Sequence, residues 1–467
     1  MSNVLHFGAA GDGQSDDSDA IQHAVNDGDG LIEFPRGIYR ISRTIQIDLP
    51  QANRTSFSGG GGTAKILMTG PGPAFHFRGT HTKTADPAGF RPEEWLLERM
   101  PMMQNLEIEG AHPEADGILV DGIMQTTLTG VLVREVRHAV RLTNRARNLL
   151  MSHCHLYHNA GVGVFLDQVN LHQSIITGSH ISYCRLGGIR IENSEIRNLQ
   201  ITGNDIEYNN QRSHQDLPDE PSADIYIDVG KTGTVREGTI VGNTIQATYS
   251  AHGANIRMIG GGADQNHRAG MWTIADNLIG SQNNNLHLTS VRGVAINGNY
   301  IYSGHHRNIL IEDSRDIVLG PNCLGHNPDY QKNELATGIR LVNSVNCNLT
   351  GLLIEDAEAG RHTVPGVVPI SRQGLVEIIR CKRVNLSGVQ ILDPTPHGLY
   401  LEDCAETLVT GCTILDDRQP KRMGYAVLWT GAAAPGGMIA QCRLGRGTEG
   451  DARVPEAVKL QGNLGDD

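Results

Sequence analysis

The stretch Gly188-Ile189-Arg190-Ile191-Glu192-Asn193, followed shortly by Ile201-Thr202-Gly203-Asn204-Asp205-Ile206, decides the fold. Apolar and polar residues alternate strictly within each phrase, which is the period of a strand and not of a helix. Both phrases return along the chain. First-strand copies begin near Ile118, Val140, Val164, Ile225, Ile256, Leu286, Ile309, Ile339, Val376 and Leu399. Copies of the second include Val241-Gly242-Asn243, Ala275-Asp276-Asn277, Ile296-Asn297-Gly298-Asn299 and Leu319-Gly320-Pro321-Asn322. A unit this short cannot bury its own apolar face, so the units must stack. The expected fold is all-β, a single-stranded right-handed parallel β-helix. Asn204, Asn243, Asn277, Asn299 and Asn322 share one turn position, where amides can bond up the stack and tolerate left-handed backbone.

The N-terminus differs. His6-Phe7-Gly8-Ala9-Ala10-Gly11-Asp12-Gly13 leads into Ser15-Asp16-Asp17-Ser18-Asp19-Ala20-Ile21-Gln22-His23-Ala24-Val25, which reads as a capped helix able to cover the open end of a stack. Gly30-Leu31-Ile32-Glu33-Phe34-Pro35-Arg36-Gly37-Ile38-Tyr39-Arg40-Ile41 follows. The expected organisation is a cap with a short helix over residues 1–45, the β-helix over 46–445, and a polar tail over 446–467.

Bulk properties narrow the function. Fifty-six glycines and 4% aromatic residues suit many tight turns between short strands. A net charge of −12 argues against a phosphate-binding surface, so nucleic acid is not an expected partner. No run approaches the ~18 apolar residues of a membrane span. The start of the chain lacks the basic-then-apolar order of a secretory signal, which reads as a cytosolic protein or an exported one with its signal removed. The cysteines Cys154, Cys184, Cys323, Cys347, Cys381, Cys404, Cys412 and Cys442 show neither CxxC nor zinc spacing, and most sit inside apolar strand patterns. They are expected as packing residues, with no metal.

Chemistry is expected on the outward side of the first strands. If Ile189 and Ile191 point inward, Arg190 and Glu192 face out. One outward column then runs Leu119, Arg141, Phe165, Arg190, Tyr226, Arg257, His287, Leu310, Arg340, Glu377, Tyr400. The second runs Asp121, Thr143, Asp167, Glu192, Asp228, Ile259, Thr289, Glu312, Val342. At a rise of about 4.8 Å per coil, Asp167, Glu192 and Asp228 form three stacked carboxylates. Crowded carboxyls cannot all ionise, and the split gives one acid and one base or nucleophile. Neighbouring rungs suit the roughly 5–5.5 Å of a retaining glycosidase, and Asp167 with Asp228 the roughly 9.5 Å limit of an inverting one. The plainer alternative is that Glu192 pairs with Arg190 or Arg257 in a salt-bridge ladder.

Arginine forks and aromatic faces on the same rungs suit an anionic or heavily hydroxylated sugar. The substrate-binding set is therefore Phe165, Arg190, Tyr226, Arg257, His267, Arg268, His287, Glu312 and Arg340, with Asp167, Glu192 and Asp228 catalytic. Long interruptions at 209–223, 229–237 and 259–270 border these strands and bring His214, Asp216, Asp219, Glu220, Glu237, Asp264, His267 and Arg268. Further interruptions at 325–337 and 355–374 could wall the groove. His305-His306-Arg307 reads as a solvent-facing turn, and Asp205 with Glu207 as a solvated pair off the first face.

The N-terminal stretch resembles the opening motif of the pectate-lyase-like superfamily, and the resemblance covers roughly residues 5 to 430. It implies the β-helix and a carbohydrate ligand, on a scaffold that hosts hydrolases, lyases, epimerases, fructotransferases and non-enzymatic tailspike fibres. The Gly-His-Gly and Arg-Ile-Lys signatures of polygalacturonases and the Asp-Pro-His-Glu signature of alginate epimerases are missing. The resemblance also implies a homotrimer and, for a lyase, calcium held by carboxylates of successive rungs such as Asp167, Glu192 and Asp228. The expected function is a glycoside hydrolase without a cofactor. A lyase using Arg257, His287 or Tyr226 as base is the first rival, and a glycan-binding fibre the second.

Overall fold

The structure is a computed structural model that describes all residues except 83–88, 90, 211–219, 248, 263–266, 328–336, 357–369, 433–434 and 466–467. His214, Asp216, Asp219 and Asp264 lie outside the described residues. The architecture is a right-handed parallel β-helix. Contacts divide the chain into two compact units, Met1–Arg212 with Ala223–Thr239 and Ser213–Ser222 with Ile240–Asp467, called here the N-terminal and C-terminal units. Among the described residues no helix is long and apolar enough to cross a membrane.

In the N-terminal unit the first-face strands Gly72–Arg78, Ala115–Met124, Val140–Arg147, Val162–Thr177, Gly187–Glu192 and Ser222–Asp228 pair in parallel. Phe75, Ile118, Val140, Val164, Ile189 and Ile225 fall in one register. All are buried, so the alternation read from sequence is the inside–outside alternation of the coil. Each coil carries three strands, for example Gly187–Glu192, Glu195–Thr202 and Asp205–Glu207. The second phrase therefore spans the end of one strand, a turn, and the start of a three-residue strand too short to declare itself by alternation. In the C-terminal unit Gly253–Ile259, Asn284–Thr289, Arg307–Glu312, Ile339–Val342, Val376–Ile379, Leu399–Glu402 and Tyr425–Thr430 repeat the pattern.

The turn amides bond from coil to coil. Asn277 Oδ1 accepts from the Asn243 backbone N–H and Nδ2–H, both at 2.9 Å. Asn299 does the same for Asn277 at 3.0 and 2.9 Å, and Asn322 for Asn299 at 2.9 Å each. In the N-terminal unit Asn204 accepts from Ser179 N at 3.1 Å, and Ser179 Oγ accepts from Cys154 N at 3.1 Å. Cys154 thus occupies a position of the amide ladder, which explains its burial. All eight cysteines are free thiols, and all but Cys323 are buried. The left-handed backbone is not at the asparagines, as expected, but one residue earlier, at Gly203, Gly242, Asp276 and Gly298 (φ +63, +68, +56 and +68). The asparagine side chain then turns inward where its amide meets backbone groups.

Three boundaries differ from expectation. Strand Ser2–Asn3 pairs with Leu31–Glu33, and Asp12–Asp16 with Gly37–Ile41, so the stack begins inside the segment expected as a cap. The helix Ser18–Asp27 is present, but Asp17 does not cap it. Its carboxylate instead accepts from Ala10 N and Gly11 N at 2.6 and 3.2 Å, tying the glycine-rich segment to the helix start. At the other end Gly450–Arg453, Lys459–Gln461 and Leu464–Gly465 pair with the preceding coil. The expected tail is a further coil of the stack, with Lys459–Gln461 and Leu464–Gly465 exposed. Residues 234–237, expected within a loop, belong to strand Thr234–Val241.

Replacing Asn299 by Ala removes the acceptor of two Asn277 N–H groups inside the stack. Denaturant unfolding should show a loss of about 2 kcal/mol or more, against about 0.5 kcal/mol or less for the exposed Val318→Ala.

Candidate functional site

Outward positions of the N-terminal unit line up as expected. Phe165, Arg190 and Tyr226 are register partners on successive strands, and so are Asp167, Glu192 and Asp228. Arg141 lies one rung below Phe165.

The side chains interleave. Arg141 Nε donates to Asp167 Oδ2 at 3.0 Å, and its guanidinium stands 5.9 Å from the Phe165 ring centre. Arg190 Nε donates to Glu192 Oε1 at 2.7 Å, with its guanidinium 4.4 Å over the Tyr226 ring. The Tyr226 hydroxyl donates to Asp228 Oδ2 at 3.3 Å, and Gly230 N to Asp228 Oδ1 at 2.8 Å. Cation and ring alternate in one column while carboxylates fill the other, and each cation–ring contact adds about 0.5–2 kcal/mol. The Arg190–Glu192 pair of the plainer alternative is therefore present. The like-charge crowding expected of a bare carboxylate ladder is relieved by guanidinium groups in the adjacent column.

Below this cluster Arg137 makes a two-pronged bond to Asp116 at 2.9 and 2.7 Å. His138 packs its ring 5.2 Å from Phe165 and accepts at Nδ1 from Val162 N at 3.2 Å. Burial, aided by Arg137 and Arg141 and opposed by Asp116 and Asp167, pushes His138 down to about 4. Sequence reasoning missed His138 because it lies in the turn before the strand Val140–Arg147.

In the C-terminal unit Arg257 and His287 are register partners, as are Thr289 and Glu312. His287 Nε2 lies 2.8 Å from Glu312 Oε2. Burial lowers the His287 pKa despite this partner, while the bond to His287 lowers that of Glu312. Together the shifts describe a neutral imidazole donating to a carboxylate. Arg340 turns toward the buried Glu377, 3.5 Å away, which also accepts from Arg307 at 3.1 Å and from Gln373 N at 2.9 Å. Arg257 donates to His252 O at 2.6 Å.

His267, buried and left-handed (φ +44), and Arg268 lead into the second-sheet strand Ala269–Ala275. The expected solvent-facing histidine turn is corrected, since His305 is buried with its ring 5.0 Å from that of Tyr249. Asp167 and Glu192 each commit one oxygen to an arginine, and among the described residues no three His, Cys, Asp or Glu gather as a metal cluster.

Residues 1–306 match the family described as rhamnogalacturonase A/epimerase, pectate lyase-like. The chain belongs to this pectate lyase-like family. No curated protein matches it in sequence. Among solved structures it is similar to tailspike protein 3 of bacteriophage CBA120 at 11% identity and a TM-score of 0.43, over 99% of this chain and 61% of that one. It is also similar to the A-module of Azotobacter vinelandii mannuronan C-5 epimerase AlgE4, at 14% identity and a TM-score of 0.35 over 100% and 97%. PfbA, a surface adhesin of Streptococcus pneumoniae, aligns at 13% identity and a TM-score of 0.47, over 75% and 90%.

A histidine with a depressed folded pKa supports the fold above its unfolded value near 6.5, and that support is lost as pH falls toward about 4. The melting midpoint of this family member should therefore fall across that window. The fall should be shallower in His138→Gln, and parallel curves would contradict the assignment.

Proposed function

We propose that this pectate lyase-like chain hydrolyses glycosidic bonds of an anionic poly- or oligosaccharide on the first face of its N-terminal unit. The observation that carries the reading is the shared register of Asp167, Glu192 and Asp228 beside Phe165, Arg190 and Tyr226. Family membership supports a polysaccharide substrate. Asp167 is the least available of the three, buried and held by Arg141. Glu192 and Asp228 form the working pair, and rungs about 4.8 Å apart suit a retaining mechanism.

Glu192, ion-paired to Arg190, attacks the anomeric carbon as Asp228 passes its proton to the departing glycosidic oxygen; Asp228 then takes a proton from a water whose oxygen displaces Glu192 from that carbon. The Tyr226 hydroxyl can donate to the Asp228 carboxylate or accept from its acid form, so it serves both steps. Phe165 offers a ring face to the sugar, Tyr226 holds Arg190 and Asp228 in place beneath it, and Arg141 would meet a uronate carboxylate. In the C-terminal unit, taken by itself, Arg257, His267, Arg268, His287, Glu312 and Arg340 are proposed as sugar-binding groups. A homotrimer is proposed as the assembly, testable by sedimentation.

One observation favours a lyase as the second reading. Glu312 holds His287 through Nε2, and burial keeps the imidazole in its neutral form. That is the form needed to take the proton beside a uronate carboxylate.

A glycan panel read in parallel for reducing ends and ultraviolet absorbance separates the readings. The hydrolase predicts reducing ends without absorbance gain, and a loss of about 10²–10⁴-fold in Glu192→Gln and Asp228→Asn. An absorbance gain abolished by His287→Gln would install the lyase, and silence across the panel would favour a binding fibre. Full activity in both carboxylate variants would end the hydrolase assignment.

A further inference from the structure

A concave surface runs along the second strands of the coils in the N-terminal unit, where the proposed reaction makes no use of it. Met100, Gln125, Asn148, Gln173 and Asn198 all adopt left-handed backbone, with φ between +55 and +59. They sit on successive coils, linked by Gln125 N to Arg147 O at 2.7 Å and Asn148 N to His172 O at 2.9 Å. A left-handed residue bends a strand sharply, and the same bend on each coil makes a continuous crease. The crease encloses a cavity of about 510 Å³.

We infer that this crease binds a neutral, hydroxyl-rich saccharide chain. Every side chain lining the cavity is uncharged, in a protein carrying 39 basic and 51 acidic residues. Four amides, at Gln125, Asn148, Gln173 and Asn198, run along one wall, and Leu150 and Ile175 form an apolar strip beside them. Amides both donate and accept, as sugar hydroxyls do, whereas a uronate carboxylate here would meet no cation in the lining.

Existing bonds orient these amides and leave groups over. Gln173 Oε1 accepts from Asn148 Nδ2 at 3.0 Å and from Arg147 Nε at 3.3 Å, so its Nε2 donors remain available. Asn198 is fixed at the far end by Glu237, at 3.0 Å. The amides of Gln125 and Gln200 take no partner among the described residues. Ser174, also in the lining, is fully buried and its hydroxyl has no partner among the described residues. The alternation of polar groups with aliphatic carbon matches the edges and faces of a pyranose chain laid along the coils. The inference does not rest on the first-face chemistry.

Calorimetry tests it in the Asp228→Asn background, so that no probe is consumed. The probes are neutral hexasaccharides of glucose, mannose, galactose and xylose, with hexagalacturonate as the anionic comparison. At least one neutral hexasaccharide should bind, and Gln125→Ala with Gln200→Ala should weaken it about tenfold or more, the weight of two neutral hydrogen bonds. Tyr226→Ala, on the first face, should leave that binding unchanged. The inference is overturned if only hexagalacturonate binds, if no probe binds, or if neutral binding survives the crease substitutions. Failure of the first-face reaction would leave this result untouched, so the two proposals fail separately.

Discussion

The hydrogen bond from one turn amide to the next governs the rest of this molecule. Asn277 receives two N–H groups from Asn243 and hands its own to Asn299, so each coil is held at one height and in one register. These groups are buried, where an unmade bond costs more than a made one contributes. A slip of one residue would break the turn and also send the isoleucines outward. Once register is pinned inside, outward side chains have no choice but to form columns. Function on this scaffold is a matter of which residues stand above one another.

The N-terminal unit uses that rule in two opposite ways. On its first face, charge is concentrated and interleaved: Arg141 with Asp167 and Phe165, Arg190 with Glu192 and Tyr226. The arginines shield carboxylates that would otherwise repel one another across a single rise, and the rings shield the arginines from water. Along the second strands of the coils the crease is lined by amides and aliphatic carbon, with Arg147 and Glu237 bonded to those amides from outside the lining.

Much of this was legible in the sequence where it depended on alternation alone. Ile189 and Ile191 define the inside, so Arg190 and Glu192 had to face out, and the column Asp167, Glu192, Asp228 followed. The recurrent asparagine marked the turn, but the left-handed residue was misplaced, since Gly203 and Gly242 take the left-handed conformation and the asparagine supplies the bond. Strands such as Asp205–Glu207 are too short to show a period, and the last coil is too polar to look folded. Partners across coils were hidden for another reason. Arg340 meeting Glu377, or His138 lying under Phe165, depends on rotamers and on residues tens of positions apart, and nothing in either local sequence announces the meeting.

The central claim is that the stacked carboxylates and arginines of the first face hold an anionic sugar for cleavage. A crystal structure of Glu192→Gln grown with hexagalacturonate tests it most directly. The account predicts a sugar ring over Phe165, with a glycosidic oxygen within hydrogen-bonding distance of Asp228. Hexagalacturonate seated elsewhere on the chain, with that face holding only water, would contradict it.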